Sequence, residues 1–101
     1  MTRLRVALEA EEELAAAAEW YEARRMGLGV DFVASIDVAV EELLAAPLSY
    51  PAWWPDRPYR KKVVRRFPYV IFFTFHDDTV FVVAIAHARR GPGYWVERVA
   101  R

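Results

Sequence analysis

The sequence predicts an α+β fold in which a helical hairpin packs on one face of a mostly antiparallel four-stranded sheet. An alanine- and glutamate-rich stretch near the start favours a helix. A second stretch with helical apolar periodicity follows two glycines. The part after residue 59 consists of strand-like runs separated by turn residues. The predicted order is β-α-α-β-β-β, and a length of 101 residues suits one domain spanning residues 1–101.

The first two elements are a short strand and a helix. Residues 3–8, RLRVAL, predict the strand. Residues 9–25 predict the helix because six of them are alanine. Acidic residues crowd its first turns and Arg24 and Arg25 end it, which is the arrangement that the helix dipole favours. Its apolar face contains Leu14, Ala17, Ala18 and Tyr21.

The second helix is predicted over residues 30–46. Gly27 and Gly29 interrupt the helical pattern and permit a tight turn between antiparallel helices. Pro47 ends the second helix because proline cannot continue a helix. The apolar stripe of this helix is formed by Phe32, Val33, Ile36, Val40, Leu43 and Leu44.

A proline-rich loop separates the helices from the later strands. Residues 47–58 hold four of the six prolines, which is typical of an ordered surface loop. We expect Trp53 and Trp54 in this loop to cap the core, although a partner covering them is the alternative.

Three strands are predicted after this loop. They span residues 60–67, 69–76 and 79–88, with Asp77 and Asp78 forming the hairpin turn between the last two. The second of them alternates in hydrophobicity, whereas the third is apolar on both faces. The third is therefore expected to be a central strand that is covered on both sides.

Some charged residues are expected to have structural roles only. Arg60 and Lys62 would point to solvent from an edge strand and discourage aggregation. Glu41 and Glu42 would lie on the solvent-exposed face of the second helix. They would not form a catalytic carboxylate pair, since the side chains of neighbouring helical residues diverge. His76 is expected to be solvated at the end of a hairpin.

Composition limits the classes of function. The chain has no cysteine, which excludes disulfides, thiolate metal sites and thiol nucleophiles, and we expect neither a metal nor a cofactor. The printed sequence does not open on a basic-then-apolar leader. Its longest apolar run, near residues 80–86, is too short for a bilayer. We therefore expect a cytoplasmic protein without a membrane partner.

The formal net charge of zero hides an uneven distribution. Residues 1–50 hold four arginines and ten acidic residues, whereas residues 51–101 hold ten basic residues and four acidic ones. This distribution indicates an acidic or polyanionic partner for the second half. Mutual neutralisation of the two halves within the fold explains it equally simply.

Residues 86–98, AHARRGPGYWVER, carry the strongest functional signal. They combine a histidine, two arginines, a glycine–proline–glycine hinge and a Tyr-Trp pair. The hinge is expected to swing Tyr94 and Trp95 back over the sheet. The segment suits either the active site of a nuclease or a basic, aromatic surface that binds a macromolecule.

Several motifs in this order resemble the RelE/ParE superfamily of bacterial toxins from type II toxin–antitoxin pairs. The similar pieces span nearly the whole chain: AAAAEWYE at 15–22, Leu28 and Gly29, Phe32, Ile36 and Asp37, Pro47, RRFPYVIF at 65–72, VVAI at 82–85, and then His87, Arg89, Arg90, Pro92, Tyr94 and Trp95. The resemblance implies the β-α-α-β-β-β fold and a cognate antitoxin. Such an antitoxin would use a disordered segment that folds on binding, forming a hetero-oligomer with the toxin.

The resemblance also implies one of two toxic actions, and the first is RelE-like cleavage of messenger RNA on the ribosome. This reaction needs a base, an acid and cations directed at phosphate. The candidate catalytic residues are His87, Arg90, Tyr94 and Arg66. Two departures count against cleavage: Val70 stands where the nucleolytic branch would have an arginine, and Ala88 stands where it would have a basic residue.

The second action, which we favour, is ParE-like binding and poisoning of DNA gyrase without chemistry by the toxin. It requires only a basic, aromatic surface, so a valine instead of an arginine at position 70 does not count against this action. The residues expected to bind the target are Lys61, Arg65, Arg66, Arg89, Arg90, Tyr94, Trp95 and Arg98. A non-toxic nucleic-acid-binding module is a further alternative, since six basic residues between 57 and 66 could follow a phosphate backbone.

Overall fold

The computed structural model describes residues 2–53, 57–91 and 93–100. Its elements are β1 (Arg3–Val6), α1 (Leu8–Arg24), α2 (Leu28–Ala45), a 3-10 turn (Pro47–Ser49), β2 (Arg60–Val63), β3 (Tyr69–His76), β4 (Thr79–His87) and α3 (Val96–Ala100). The strand order in the sheet is β1-β4-β3-β2. β1 runs parallel to β4, and the other two pairs are antiparallel. The predicted α+β class and element order are confirmed.

The helical hairpin departs from the prediction at its turn. Gly27 has a φ of 87°, so it adopts the left-handed conformation that ends the connection. Gly29 does not interrupt the helix but lies within α2. A Cβ atom at Gly29 would lie 2.5 Å from the carbonyl oxygen of Ala18, so this glycine permits the close approach of the two helices. The Glu22 carboxylate accepts hydrogen bonds from the amides of Gly27 (2.8 Å) and Gly29 (2.9 Å) at the start of α2.

The β3–β4 hairpin contains a tight turn and a β-bulge. Asp77 and Asp78 both have positive φ angles, as in a type I′ turn, which confirms the predicted turn. In the β3–β4 register Phe72 faces Ala84, whereas Phe73 faces Val82. One extra residue, Val83, is thus inserted as a β-bulge. Because of this bulge, Val82 and Ile85 of β4 face the same side of the sheet although they are three residues apart.

Two strand boundaries predicted from the sequence are wrong. Residues 7–8 do not belong to β1, because α1 already begins at Leu8. β2 ends at Val63 rather than at residue 67. The chain turns there because the Val64 amide donates a hydrogen bond to the Tyr69 carbonyl at 2.9 Å, and Arg66 adopts a φ of 74°.

The two faces of the sheet carry separate apolar clusters. The helix-face cluster packs under α1 and α2 and contains Ala10, Ala17, Phe32, Ile36, Ala39, Leu43, Val64, Phe67, Ile71, Phe73, Val80, Val82 and Ile85. The aromatic-face cluster lies on the opposite side and contains Tyr59, Phe72, Val83, Ala84, Ala86 and Trp95. Trp53 packs against the second cluster, 5.1 Å from Trp95 between ring centroids, as predicted for a core cap. Trp54 lies outside the described residues.

The predictions for Lys62 and Arg60 are wrong, whereas Glu42 lies at the solvent boundary of α2 with 35% of its side chain exposed. Lys62 is buried, and its Nζ lies 3.1 Å from Oε1 of Glu42. Arg60 donates a hydrogen bond to the Tyr50 carbonyl at 2.7 Å. These side chains face neighbouring elements instead of solvent because α2 and the following loop cover one side of β2. The hydrogen bond from Lys62 lowers the pKa of the Glu42 carboxyl. His76 is exposed, as predicted.

Candidate functional site

A cleft of about 680 Å³ separates α1 from the end of β4 and the segment that follows it. We call it the α1–β4 cleft, and its lining residues are Glu13, Ala16, Ala17, Trp20, Tyr21, Pro68, Tyr69, Ile85, His87, Arg89, Arg90 and Tyr94. The cleft exists because β1 pairs only with residues 79–82 of β4. Within the described part of the chain, no strand continues along the rest of that edge.

The Glu13 carboxylate fills part of the uncovered β4 edge. It accepts a hydrogen bond from the Ile85 amide at 3.0 Å. It also accepts two bonds from the Arg98 guanidinium, each at 3.1 Å, and one from the Tyr94 hydroxyl. Arg98 additionally donates to the carbonyl of Val83, the bulged residue, at 3.3 Å. Backbone groups that a further strand would have paired are thus satisfied by side chains.

Tyr94 is held as a hydrogen-bond donor. Burial, together with its bond to Glu13, raises the pKa of Tyr94 to about 12. The raised pKa extends to more alkaline pH the range over which this hydroxyl is protonated and donates to Glu13. The Arg90 guanidinium lies 3.6 Å from the centroid of the Tyr94 ring, within range of a cation–π interaction.

His87 lies at the end of β4 with one ring nitrogen already engaged. Its Nδ1 accepts a hydrogen bond from the Arg89 amide at 3.0 Å. A neutral imidazole that accepts at Nδ1 carries its proton on Nε2, so it has no free lone pair to offer the cleft. The Tyr69 ring meets the imidazole edge-on at a centroid distance of 5.3 Å.

The residues predicted from the sequence fall into separate places. The α1–β4 cleft is lined by His87, Arg89, Arg90 and Tyr94. Arg98 is not among the lining residues, but its guanidinium donates a hydrogen bond to Glu13, which is. Lys61 is exposed on β2 and is not part of the cleft lining. Arg65 and Arg66 line a second groove beside α2, together with Ala34, Ser35, Val38, Ala39 and Glu42.

Trp95 is completely buried in the aromatic-face cluster. In this structure it supports the sheet and offers no surface to a target, in contrast to the target-binding role expected for it. Tyr94 and Trp95 do pack back against the sheet, as predicted, since Trp95 belongs to this cluster and Tyr94 packs against it. Val70 packs against the same cluster, so the position of the missing arginine does not belong to the cleft lining.

Comparison with known proteins identifies the family. The family model described as "ParE toxin of type II toxin-antitoxin system, parDE" matches residues 4–92. The chain belongs to the ParE toxin family. A solved structure titled "Chromosomal ParDE TA system from P. aeruginosa" is similar in fold, with a TM-score of 0.76 and 17% sequence identity, covering 88% of this chain and 98% of that one. Among curated proteins, none matches the chain.

The ParE match and the cleft do not coincide completely. The matched range contains Glu13, His87, Arg89 and Arg90 but ends at residue 92, before Tyr94 and Arg98. The wall of the cleft formed by Tyr94 therefore belongs to a segment outside the family match.

Glu13 of this ParE chain has a role in the cleft that the sequence patterns did not predict. Its position carried a signal: it lies three residues after Ala10 and four before Ala17, both on the buried face of α1. A carboxylate on a buried helix face needs hydrogen-bond donors from elsewhere in the fold. Those donors are as many as 85 residues away in sequence, which is why the partners themselves were not identified.

Two classes of site are not found in the described part of this ParE chain. Among residues 2–53, 57–91 and 93–100, no group of three or more histidine, cysteine or acidic side chains could hold a metal ion. No helix in these ranges is both long and apolar enough to cross a membrane.

Proposed function

We propose that this chain is a growth-inhibiting toxin that binds and poisons DNA gyrase without performing chemistry, and that a cognate antitoxin neutralises it. The proposal rests on which groups of the α1–β4 cleft are engaged in hydrogen bonds and which are exposed. The Glu13 carboxylate, Nδ1 of His87 and the Tyr94 hydroxyl are engaged in hydrogen bonds within the protein, so none of them is free to act as a base. Arg89 and Arg90, in contrast, are exposed at the rim.

Cleavage of RNA would need a free base and several cations directed at one phosphate. The lone pair of His87 Nδ1 is taken by the Arg89 amide, and the Tyr94 hydroxyl is engaged as a donor to Glu13. Arg66 lines the groove beside α2 rather than the cleft, and it lies 3.8 Å from Asp31. The set that acid–base chemistry requires is therefore incomplete.

Binding makes smaller demands, which the cleft meets. Arginine, tyrosine and tryptophan are the side chains that contribute most at protein interfaces. The rim offers Arg89 and Arg90, and the walls offer aromatic rings, including Trp20, which is 54% exposed. Two exposed rim arginines favour a protein surface over a long nucleic-acid backbone, for which each phosphate contact needs a cation.

The outer face of α2 suits an antitoxin segment that folds on binding. Val30, Ala34 and Val38 are spaced by one helical turn and are all exposed. Val30 and Val38 are 71% and 52% exposed. An apolar stripe of this kind is typically covered by an amphipathic partner. A complex with the antitoxin in the cytoplasm would follow.

The test is to induce this chain alone in a bacterial host and to assay the purified protein on gyrase. Growth should stop, and co-production of the adjacent open reading frame should relieve the arrest. Supercoiling by purified gyrase should be inhibited, while primer extension on RNA from induced cells should reveal no new cuts. Unimpaired growth of cells that contain soluble protein would contradict the proposal.

A RelE-like nuclease is the second candidate, since His87, Arg90 and Tyr94 do line one cleft. It predicts cuts at codon positions in transcripts on translating ribosomes. His87→Asn separates the two candidates because an asparagine oxygen can still accept the Arg89 amide while the ring is lost. General acid–base catalysis contributes about 10²–10⁴-fold, so a nuclease would lose activity on this scale.

A further inference from the structure

We infer that Glu13 is a positioning residue of the α1–β4 cleft: through the Tyr94 ring it fixes the Arg90 guanidinium at the rim. The effect on target binding rests on the proposed function, whereas the placement of Arg90 does not. Glu13 itself is not expected to contact the target, because its carboxylate oxygens are already occupied by groups of this chain.

Glu13 occupies a largely buried position beside β4. Its side chain is 15% exposed and projects from α1 towards the β4 edge. A carboxylate in such a place is costly unless donors surround it. Here the donors come from an amide, a hydroxyl and a guanidinium, which together satisfy both carboxylate oxygens.

The Glu13 carboxylate holds the segment that follows the hinge. Tyr94 and Arg98 lie on either side of Trp95, and both bind the same carboxylate. The Arg98 side chain is 17% exposed, and its bond to Glu13 raises the pKa of the guanidinium. The segment from 93 to 98 is thus attached to α1 on the cleft side and anchored by Trp95 in the aromatic-face cluster.

The Tyr94 ring in turn positions the Arg90 side chain. The guanidinium of Arg90 stacks on a ring whose hydroxyl is tied to Glu13. The ring is held by its hydroxyl bond to Glu13 and by packing against the aromatic-face cluster. The Arg90 side chain therefore rests on a fixed platform and needs less ordering when a target binds. Arg98 lies 5.1 Å from the same ring centroid, so it supports the platform without reaching the rim.

The experiment compares the wild-type chain with Glu13→Gln and with the matched control Glu12→Gln. Glu12 is the preceding residue on α1 and is exposed, so its substitution changes the charge equally without touching the cleft. The first readout is the NMR shift of the Arg90 side-chain protons, which the Tyr94 ring current moves upfield. The second readout is affinity for purified gyrase, and the NMR signal of the buried Trp95 indole reports whether the core stays closed.

We expect Glu13→Gln to lose most of the Arg90 upfield shift, and Glu12→Gln to retain it. Affinity for gyrase should fall by about two- to tenfold in Glu13→Gln, the cost of ordering one side chain on binding. An unchanged Arg90 shift in folded Glu13→Gln would overturn the inference. If the wild-type protein does not bind gyrase, the proposed function fails, and the NMR comparison still decides the role of Glu13.

Tyr94→Phe provides a second variant in case Glu13→Gln opens the core. It removes one hydroxyl and keeps the ring, so the platform remains but loses its tie to Glu13. The Arg90 shift should then decrease while Trp95 stays buried. Retention of the full wild-type shift in Tyr94→Phe would show that Arg90 is placed independently of Glu13, which contradicts the inference.

Discussion

The two faces of the sheet are covered in different ways. Two long helices cover one face, and the cluster beneath them is mixed aliphatic and aromatic. The other face is covered by the loop around Trp53 and by the segment after the hinge, which meet at Trp95. Trp95 gives the basic, aromatic C-terminal segment a structural role, whereas Arg89 and Arg90 are exposed at the cleft rim.

This difference explains what each face contributes. The helix face depends on the regular packing of α1 against α2, which Gly29 permits. The aromatic face depends on one large side chain, since Trp95 contacts the rings of Trp53, Tyr59 and Phe72 at centroid distances of 4.7–5.1 Å. A single substitution should consequently disturb the aromatic face more than the helix face.

The largest expected effect is that of Trp95→Ala. Removing a fully buried tryptophan leaves a cavity and should lower the free energy of unfolding by about 3–5 kcal/mol. Urea denaturation measures this loss. Trp20→Ala is the matched control, because Trp20 is 54% exposed and should cost roughly 0.5–1 kcal/mol. Equal losses in the two variants would mean that Trp95 does not support the aromatic face.

The helix face is tested by Gly29→Ala. The new Cβ would lie 2.5 Å from the Ala18 carbonyl oxygen, so the helices must separate. We expect a loss of about 1–3 kcal/mol in the free energy of unfolding, as is typical of overpacking. Gly91→Ala is the control, since nothing lies within 4 Å of a Cβ there. A neutral Gly29→Ala would indicate that the helices are less closely packed than described.

A smaller effect is expected at the edge of the sheet. Lys62→Ala removes the ammonium that lies 3.1 Å from Glu42 and 4.9 Å from the Tyr50 ring centroid. Its unfolding free energy should fall by less than that of Gly29→Ala but by more than that of Lys61→Ala, whose side chain is exposed. Chemical denaturation of both variants at neutral pH gives the comparison. If both lysines behaved alike, the inward orientation of Lys62 would be refuted.

The smallest effect concerns alkaline pH. The pKa of Tyr94 is raised from 10.0 to about 12, so folding favours its protonated form. The resulting stabilisation is fully present below pH 10 and is lost as the pH rises through about 12. Tyr94→Phe should therefore lose less stability over this interval than the wild type. Some alkaline loss should persist, because burial also raises the pKa values of Tyr21 and Tyr69. Identical pH profiles would argue against the Glu13 bond.

Most of the fold could be predicted because its signals are local. Alanine content, apolar periodicity and the Asp77–Asp78 turn each act over a few residues and give the element order correctly. The errors at Gly29, Lys62 and the end of β2 have a tertiary cause. Whether a glycine continues a helix, or a lysine faces inward, depends on which element packs beside it.

The candidate site could be predicted only in part for the same reason. His87, Arg89, Arg90 and Tyr94 are close in sequence, and they also line one cleft. Glu13 joins them from 81 residues before Tyr94. Trp95 is adjacent to Tyr94 but lies in the core, because consecutive residues after the hinge point to different sides. Composition alone does not separate these two aromatic residues.

The most direct test of the central claim, that the cleft binds a target and performs no chemistry, is a gyrase supercoiling titration. Wild-type protein should inhibit supercoiling, and the double variant Arg89→Glu/Arg90→Glu, which reverses the exposed charges at the rim, should lose this inhibition. Supercoiling unaffected by the wild-type protein, together with cut transcripts in induced cells, would contradict the account. Full inhibition by the double variant would contradict it as well, because the rim arginines would then have no part in binding.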